Sequence, residues 1–367
     1  AAVSQLFRLK AFVPHGAPGV PRMMVAVGWL VVALALPWRI GARGRASAAQ
    51  RCAGRSPITC ILRPPSHKPK VAILVAGLQS RYYPESVFRH VAGPAARDGY
   101  EVHYHAWLVR ESPPELVWKN TWLASYTSIA YSNMAGDELT GHIVRQALKV
   151  NVSRVSLNLV ARELSAPKLP AQWQRLLGRE STTHIALLLT LLRFRKIERL
   201  WNATRRLGWG DYRHVLLVRD DSYWFGDVDL AHFQQRATLH ARQQGDYCTV
   251  KSLPGWPNDN GLIMDEPAAD RVLRFHTAFF QGQSPELDAA PSAEMFISIV
   301  AALSGVRLLF VPDPAMPFAI VSAIQVDERS TGMVQHCLRA YKTAHGKALP
   351  DCPAPESLMM TACEAGR

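Results

Sequence analysis

The stretch His214–Leu230, HVLLVRDDSYWFGDVDL, decides the fold. Val215, Leu216, Leu217 and Val218 run without a polar break, the pattern of a strand covered on both faces, as in a parallel sheet. The run ends in Arg219, Asp220 and Asp221, and a second acidic pair, Asp227 and Asp229, follows. Neighbouring carboxylates at the end of an interior strand repel one another unless hydrogen bonds or a cation offset the charge. They are therefore either solvated turn residues or the grip on something positive.

Working outward, the same alternation of elements repeats. Val71–Gly77, VAILVAG, is a short apolar run closed by glycine and reads as another buried parallel strand. Pro84 opens a helix that is broken near Gly93-Pro94 and stopped by Gly99. Tyr100–Val109 is the next strand, which completes a β-α-β unit. Residues 184–206 form a helix, apolar all round in its first half and amphipathic in its second. Asp246–Leu253 reads as a strand, and GLIMDEPAADRVLRF from Gly261 as a strand fragment turning into a helix at Pro267. A further helix, SAEMFISIVAAL, starts at Ser292, and VRLLFVP from Val306 is a late strand. Residues 110–180, bracketed by Pro113-Pro114 and Pro167–Pro170, show no clear period. The class is α/β, with a Rossmann-type mixed, mainly parallel sheet flanked by helices.

The chain has 367 residues and a formal charge of +13. Residues 1–70 hold eleven Lys and Arg and no acid, which leaves 31 basic against 29 acidic residues in the rest, a net of +2. The folded body is thus almost neutral and carries no basic face interleaved with aromatics, so a nucleic-acid partner is not expected. The charge belongs to a leader. Met23–Trp38, MMVAVGWLVVALALPW, is apolar throughout, with arginines on both sides. The reading preferred is a signal anchor that attaches the protein to a membrane; a cleaved signal peptide and an organelle transit peptide are the alternatives. Residues 1–22 are then a tail, 23–40 the anchor or signal, 41–69 a stem, 70–325 the main folded domain and 326–367 an extension. The sequons at Asn151 and Asn202 suit a lumenal protein. Six cysteines and no C-x-x-C argue against a zinc site and leave open either bridges or unpaired buried thiols. His103 and His105 share one face of their strand without a third ligand nearby and read as strand histidines. Neither a G-x-x-x-x-G-K-[ST] phosphate loop nor a G-x-S-x-G elbow is present.

The order helix, glycine, Asp211-Tyr212, four apolar residues, Arg219-Asp220-Asp221 and an aromatic resembles the central block of nucleotide-sugar glycosyltransferases of the GT-A fold. The resemblance covers residues 70–325 and implies a divalent Mn²⁺ or Mg²⁺ held by Asp220 and Asp221, gripping the diphosphate of a UDP- or GDP-sugar. Arg219 stands where many members have an acid, so it faces a phosphate or braces the strand end. Asp227 and Asp229 spell D-x-D more literally, but GDVDLAHF also reads as a helix start with Asp227 near its cap. The resemblance further implies that Gly77, Gln79, Ser80 and Arg81 face the donor nucleotide, and that Asp259, with Asn260 in the place of a lysine, belongs to the catalytic centre. Glu294, at a helix start, would be the general base that takes the proton of a glycan hydroxyl acceptor in an inverting transfer; the competing reading is a carboxylate that the dipole favours in the first helical turn. Trp224 and Trp256 are either sugar platforms or core aromatics. The implied location is the Golgi or ER membrane with a lumenal domain. A non-catalytic carbohydrate-binding or scaffolding protein on a degenerate transferase fold is the alternative.

Overall fold

The computed structural model describes residues 51–54, 57–79, 82, 84–111, 134–162, 168, 182–244, 253–281 and 293–320. The leader, the expected extension over 326–367, Ser80 and Arg81 lie outside the described residues. Among the described residues no helix is long and apolar enough to cross a membrane.

Among the described residues eleven strands form, in chain order. They are β1 Arg51–Ala53, β2 Ile58–Ile61, β3 Lys70–Leu78, β4 Glu101–Glu111, β5 Arg154–Arg162 and β6 Tyr212–Arg219, then β7 Ser222–Trp224, β8 Thr238–Gln244, β9 Leu253–Met264, β10 Arg307–Phe310 and β11 Phe318–Ile320. Nine make one mixed sheet in the order β1-β2-β5-β4-β3-β6-β9-β8-β10, and β7 pairs with β11 separately. β5, β4, β3 and β6 are mutually parallel, whereas β2 and β9 run against their neighbours.

The unbroken apolar runs follow from burial on both faces. Val71, Ile73 and Val75 of β3, with Leu216 and Val218 of β6, enter one core. Ala72, Leu74 and Ala76, with Val215 and Leu217, enter the other. The first core is covered by α1 (Pro84–Val87), α2 (Gly93–Arg97) and α3 (Gly136–Lys149). The break expected at Gly93-Pro94 is a π turn over Phe88–Ala92, just where Pro94 cannot donate a backbone N–H. The second core is covered by α4 (Thr182–Arg206), α5 (Glu266–Val272), α6 (Phe275–Gln281) and α7 (Ala293–Leu303).

The structure adds to these readings at four places. The stem over 41–69 gives way, over 51–61, to a hairpin in which Cys52 lies opposite Cys60 and is bridged to it, and β2 extends the sheet along β5. A loop this short contributes about 2–3 kcal/mol by restricting the unfolded chain. The unreadable stretch 110–180 supplies α3 and β5. The strand expected at Asp246–Leu253 falls largely outside the described residues, and the neighbouring strand is β8, further upstream. The fragment at Gly261 is the second half of β9, which begins at Leu253 and runs antiparallel to β6.

Candidate active site

In the order β5-β4-β3-β6 the chain leaves β3 in one direction and returns to its other side, so the connections diverge between β3 and β6. Open α/β sheets bind ligands at this kind of switch point, beyond the carboxyl ends of the strands. Gly77 and Leu78 close β3 there, and Arg219 closes β6. β9, running the other way, brings Asn258, Asp259 and Asn260 to the same end before it pairs with β6 from Gly261 onward.

The side chains at this point form one ionic cluster. Asp220 turns back toward β3 and its Oδ2 accepts the Leu78 N–H at 2.7 Å. A Cβ on Gly77 would overlap Asp220 Cγ, so only glycine lets the carboxylate sit there. Arg219 donates from Nε and Nη2 to the two oxygens of Asp221, each at 2.7 Å, and from Nη1 to Asp259 at 3.0 Å. Arg193, from the first half of α4, pairs with the second oxygen of Asp259. At the far end of α4, Arg205 pairs with Glu266, which also accepts the Tyr212 N–H at the start of β6. These two contacts fix α4 antiparallel to β6 and deliver Arg193 to the carboxyl end. Burial acts to lower the pKa of the Arg219 guanidinium, but the facing carboxylates of Asp221 and Asp259 outweigh it and hold the group above its ordinary value.

The residues expected in the site divide into three groups. Gly77, Arg219, Asp220, Asp221 and Asp259 come together. Gln79 is buried beside them and donates to the Met134 carbonyl at 3.1 Å. Glu294 stands apart, half-buried in the first turn of α7, a helix tied to α4 by stacking of Phe296 on Phe194. Asp227 and Asp229 are loop fastenings: Asp227 accepts from His90 at 2.9 Å and Arg97 at 2.6 Å, while Asp229 caps the turn at Leu230–Phe233 by accepting from Ala231 at 2.8 Å. The cap is thus Asp229, not Asp227. Trp224 is fully buried against Phe318 and offers no sugar platform. Arg193 is the member that the sequence reading missed; its signal was a lone guanidinium inside the apolar half of α4.

A divalent cation needs open carboxylate oxygens. Both oxygens of Asp221 accept from one guanidinium fork, one oxygen of Asp259 accepts from Arg219 while the other makes an ion pair with Arg193, and one oxygen of Asp220 accepts a backbone N–H. Among the described residues no group of three or more His, Cys, Asp or Glu is arranged to hold a metal. The ion implied by the resemblance does not fit this arrangement, because a guanidinium occupies the space between Asp221 and Asp259.

A second polar cluster lies within the sheet, on β4. Glu101 accepts from the N–H and hydroxyl of Ser66 at 2.9 and 2.7 Å and from His103 Nε2 at 2.8 Å. His103 Nδ1 then accepts from the Tyr212 hydroxyl at 3.2 Å, and that hydroxyl lies 3.4 Å from His105 Nε2. Trp209 packs on both imidazoles, with the Arg154 guanidinium 5.3 Å from its ring. The paired histidines expected on one strand face are thus present, joined in a sealed chain.

Comparison with models of known protein families and with curated proteins finds no match.

Proposed function

We propose that this chain is a glycosyltransferase of GT-A-like fold that moves a sugar from a nucleotide-diphosphate donor to a hydroxyl acceptor, at the carboxyl ends of β3 and β6. One observation carries the reading: the charged residues marked by the resemblance, though 40 positions apart at Arg219 and Asp259, meet at the switch point of the sheet. The order β5-β4-β3-β6 repeats the 3-2-1-4 order of doubly wound nucleotide-binding sheets, which supports it further. In this reading Gly77 and Gln79 line the donor side, and Asp259 positions the arginines. Glu294 takes the acceptor proton if the transfer inverts.

The Cys52–Cys60 bridge supports a lumenal, oxidising location, consistent with a Golgi or ER protein held by its leader. An organelle-targeted enzyme is the competing location, and glycan analysis at Asn151 and Asn202 separates the two. A non-catalytic scaffold is favoured by one feature, the engagement of all three carboxylates in ion pairs or hydrogen bonds. The deciding experiment is a screen of UDP- and GDP-sugars for donor hydrolysis and for transfer to glycan acceptors, with and without Mn²⁺. Turnover of any donor supports the enzyme. Nucleotide binding without turnover supports the scaffold, and no interaction with any nucleotide overturns both.

A further inference from the structure

We infer that the positive charge at the donor site is built into the chain: Arg219 and Arg193 receive the diphosphate directly, and donor binding needs no divalent ion. The inference rests on the nucleotide-diphosphate reading above. Its basis is the order of charges from inside to outside. The side chains of Asp221 and Asp259 are 1% and 4% exposed, whereas those of Arg219 and Arg193 are 18% and 17% exposed. Asp220 is buried as well. A ligand approaching the carboxyl ends of β3 and β6 therefore meets guanidinium edges, with the carboxylates behind them.

Donor capacity agrees with this order. A guanidinium has five N–H groups in a planar fork. Arg219 spends three of them, on both oxygens of Asp221 and one of Asp259, which leaves two without a hydrogen bond among the described residues. The bidentate Asp221 contact fixes the plane of the fork before any ligand arrives, so little side-chain freedom is lost on binding. Arg193 is pinned through a single nitrogen to Asp259 and keeps its other donors. Two guanidiniums stand outermost where the resemblance implies a divalent ion that finds no open pair of oxygens; the carboxylates behind them offset their charge, so recognition rests on the N–H groups their forks turn outward. Asp221 and Asp259 are then positioning residues: they hold the guanidiniums and do not touch the ligand.

Calorimetry on the full chain tests this with UDP, GDP and UMP, in EDTA and in Mn²⁺. The expected result is binding of a nucleoside diphosphate in EDTA, changed no more than about twofold by Mn²⁺, with UMP about tenfold weaker or worse. Arg193→Ala leaves Asp259 paired with Arg219 alone, which lowers the melting temperature without unfolding the chain, and the affinity of the folded variant for the diphosphate falls by about tenfold. Arg219→Lys keeps the charge but not the fork, and weakens binding by a similar factor. Binding that appears only with Mn²⁺ overturns the inference and leaves the glycosyltransferase reading standing. UMP bound as well as UDP, or full affinity in Arg193→Ala and Arg219→Lys together, also overturns it. No nucleotide binding in either condition removes the nucleotide reading itself, and the inference with it.

Discussion

The sheet carries two buried polar clusters, and they differ in what they show to solvent. At the carboxyl ends, Arg219, Arg193, Asp220, Asp221 and Asp259 form an ionic cluster whose outer members are guanidiniums. Within β4, Glu101, His103 and His105 form a chain with Tyr212 in which both imidazoles are fully buried under Trp209. Burial pushes both histidines toward the neutral form, His103 to about 4 and His105 well below its ordinary value. Two clusters of similar burial are thus organised for different ends. The first sets two guanidiniums, 17% and 18% exposed, over its carboxylates and leaves them N–H groups to spare; the second seals its carboxylate and both imidazoles, with the 12% exposed Arg154 guanidinium 3.6 Å from Glu101 at its edge. The following substitutions break or sharpen that contrast.

The largest effect is expected at Asp221. Asp221→Ala takes the bidentate partner from a buried arginine and leaves Arg219 with Asp259 alone. Removing one member of a buried pair costs about 3–5 kcal/mol. Denaturant unfolding of the folded variant checks the figure, and nucleotide affinity should fall with it because the fork is no longer oriented. A loss below about 1 kcal/mol would show that the cluster is loosely solvated and that the contrast between rim and interior is false.

Acid should find the other cluster first. His103 is held neutral because burial lowers its pKa from 6.5 to about 4, against the opposing hydrogen bond to Glu101. From pH 6.5 down to about 4 the unfolded chain takes up a proton that the folded chain refuses. Stability therefore falls as pH falls through this window, by on the order of 3 kcal/mol for one such imidazole. Burial acts to raise the pKa of Glu101, but hydrogen bonds from His103 and Ser66 outweigh it and bring it from 4.5 to about 2. Its contribution is present above pH 4.5 and is lost as pH falls toward 2. Unfolding free energies measured between pH 7 and pH 4 should slope downward, and His105→Phe, which removes one neutral imidazole, should flatten the slope. A flat profile in the unsubstituted chain would mean that water reaches the histidines.

Gly77→Ala should have an intermediate effect. The added methyl overlaps the Asp220 carboxylate, so either that group or the end of β3 must move. Overpacking of this kind costs about 1–3 kcal/mol, and it should disturb nucleotide binding more than stability because the strain is released at the rim.

How much of this was legible differs by region. β3, β6 and α4 were readable because their residues are buried on both faces or along one long stripe, and hydrophobic runs report burial directly. β8 was not, because Thr238, His240 and Arg242 are polar and yet buried, which inverts the usual signal. β9 hid behind Pro254, Gly255 and Pro257, which read as loop residues, although the strand accommodates them through the irregular register beside Gln243 and Gln244. The hairpin at Cys52 and Cys60 hid in a composition typical of linkers. At the site, attention to the adjacent pair Asp220 and Asp221 concealed the more informative spacing. Arg219 ends β6 and Asp221 lies two residues on in the tight turn before β7, so opposite charges are held within reach of each other. The reach of Arg193 to Asp259 depends on the path of α4, and no local pattern could have announced it.

The smallest effect on stability is expected at Glu294, which tests how far the carboxyl-end region extends. The residue is half-buried in the first turn of α7, where a carboxylate gains about 0.3–1 kcal/mol from the helix dipole, and Glu294→Gln forfeits no more than that. α7 packs on the helix that carries Arg193, since Phe296 stacks on Phe194. If Glu294 takes the acceptor proton, the substitution lowers transfer by roughly 10²-fold or more while donor affinity is unchanged. Steady-state transfer and nucleotide calorimetry on the same preparation separate the two quantities. Transfer that survives intact would confine Glu294 to capping its helix, and the reacting hydroxyl would then be served from the strand ends alone.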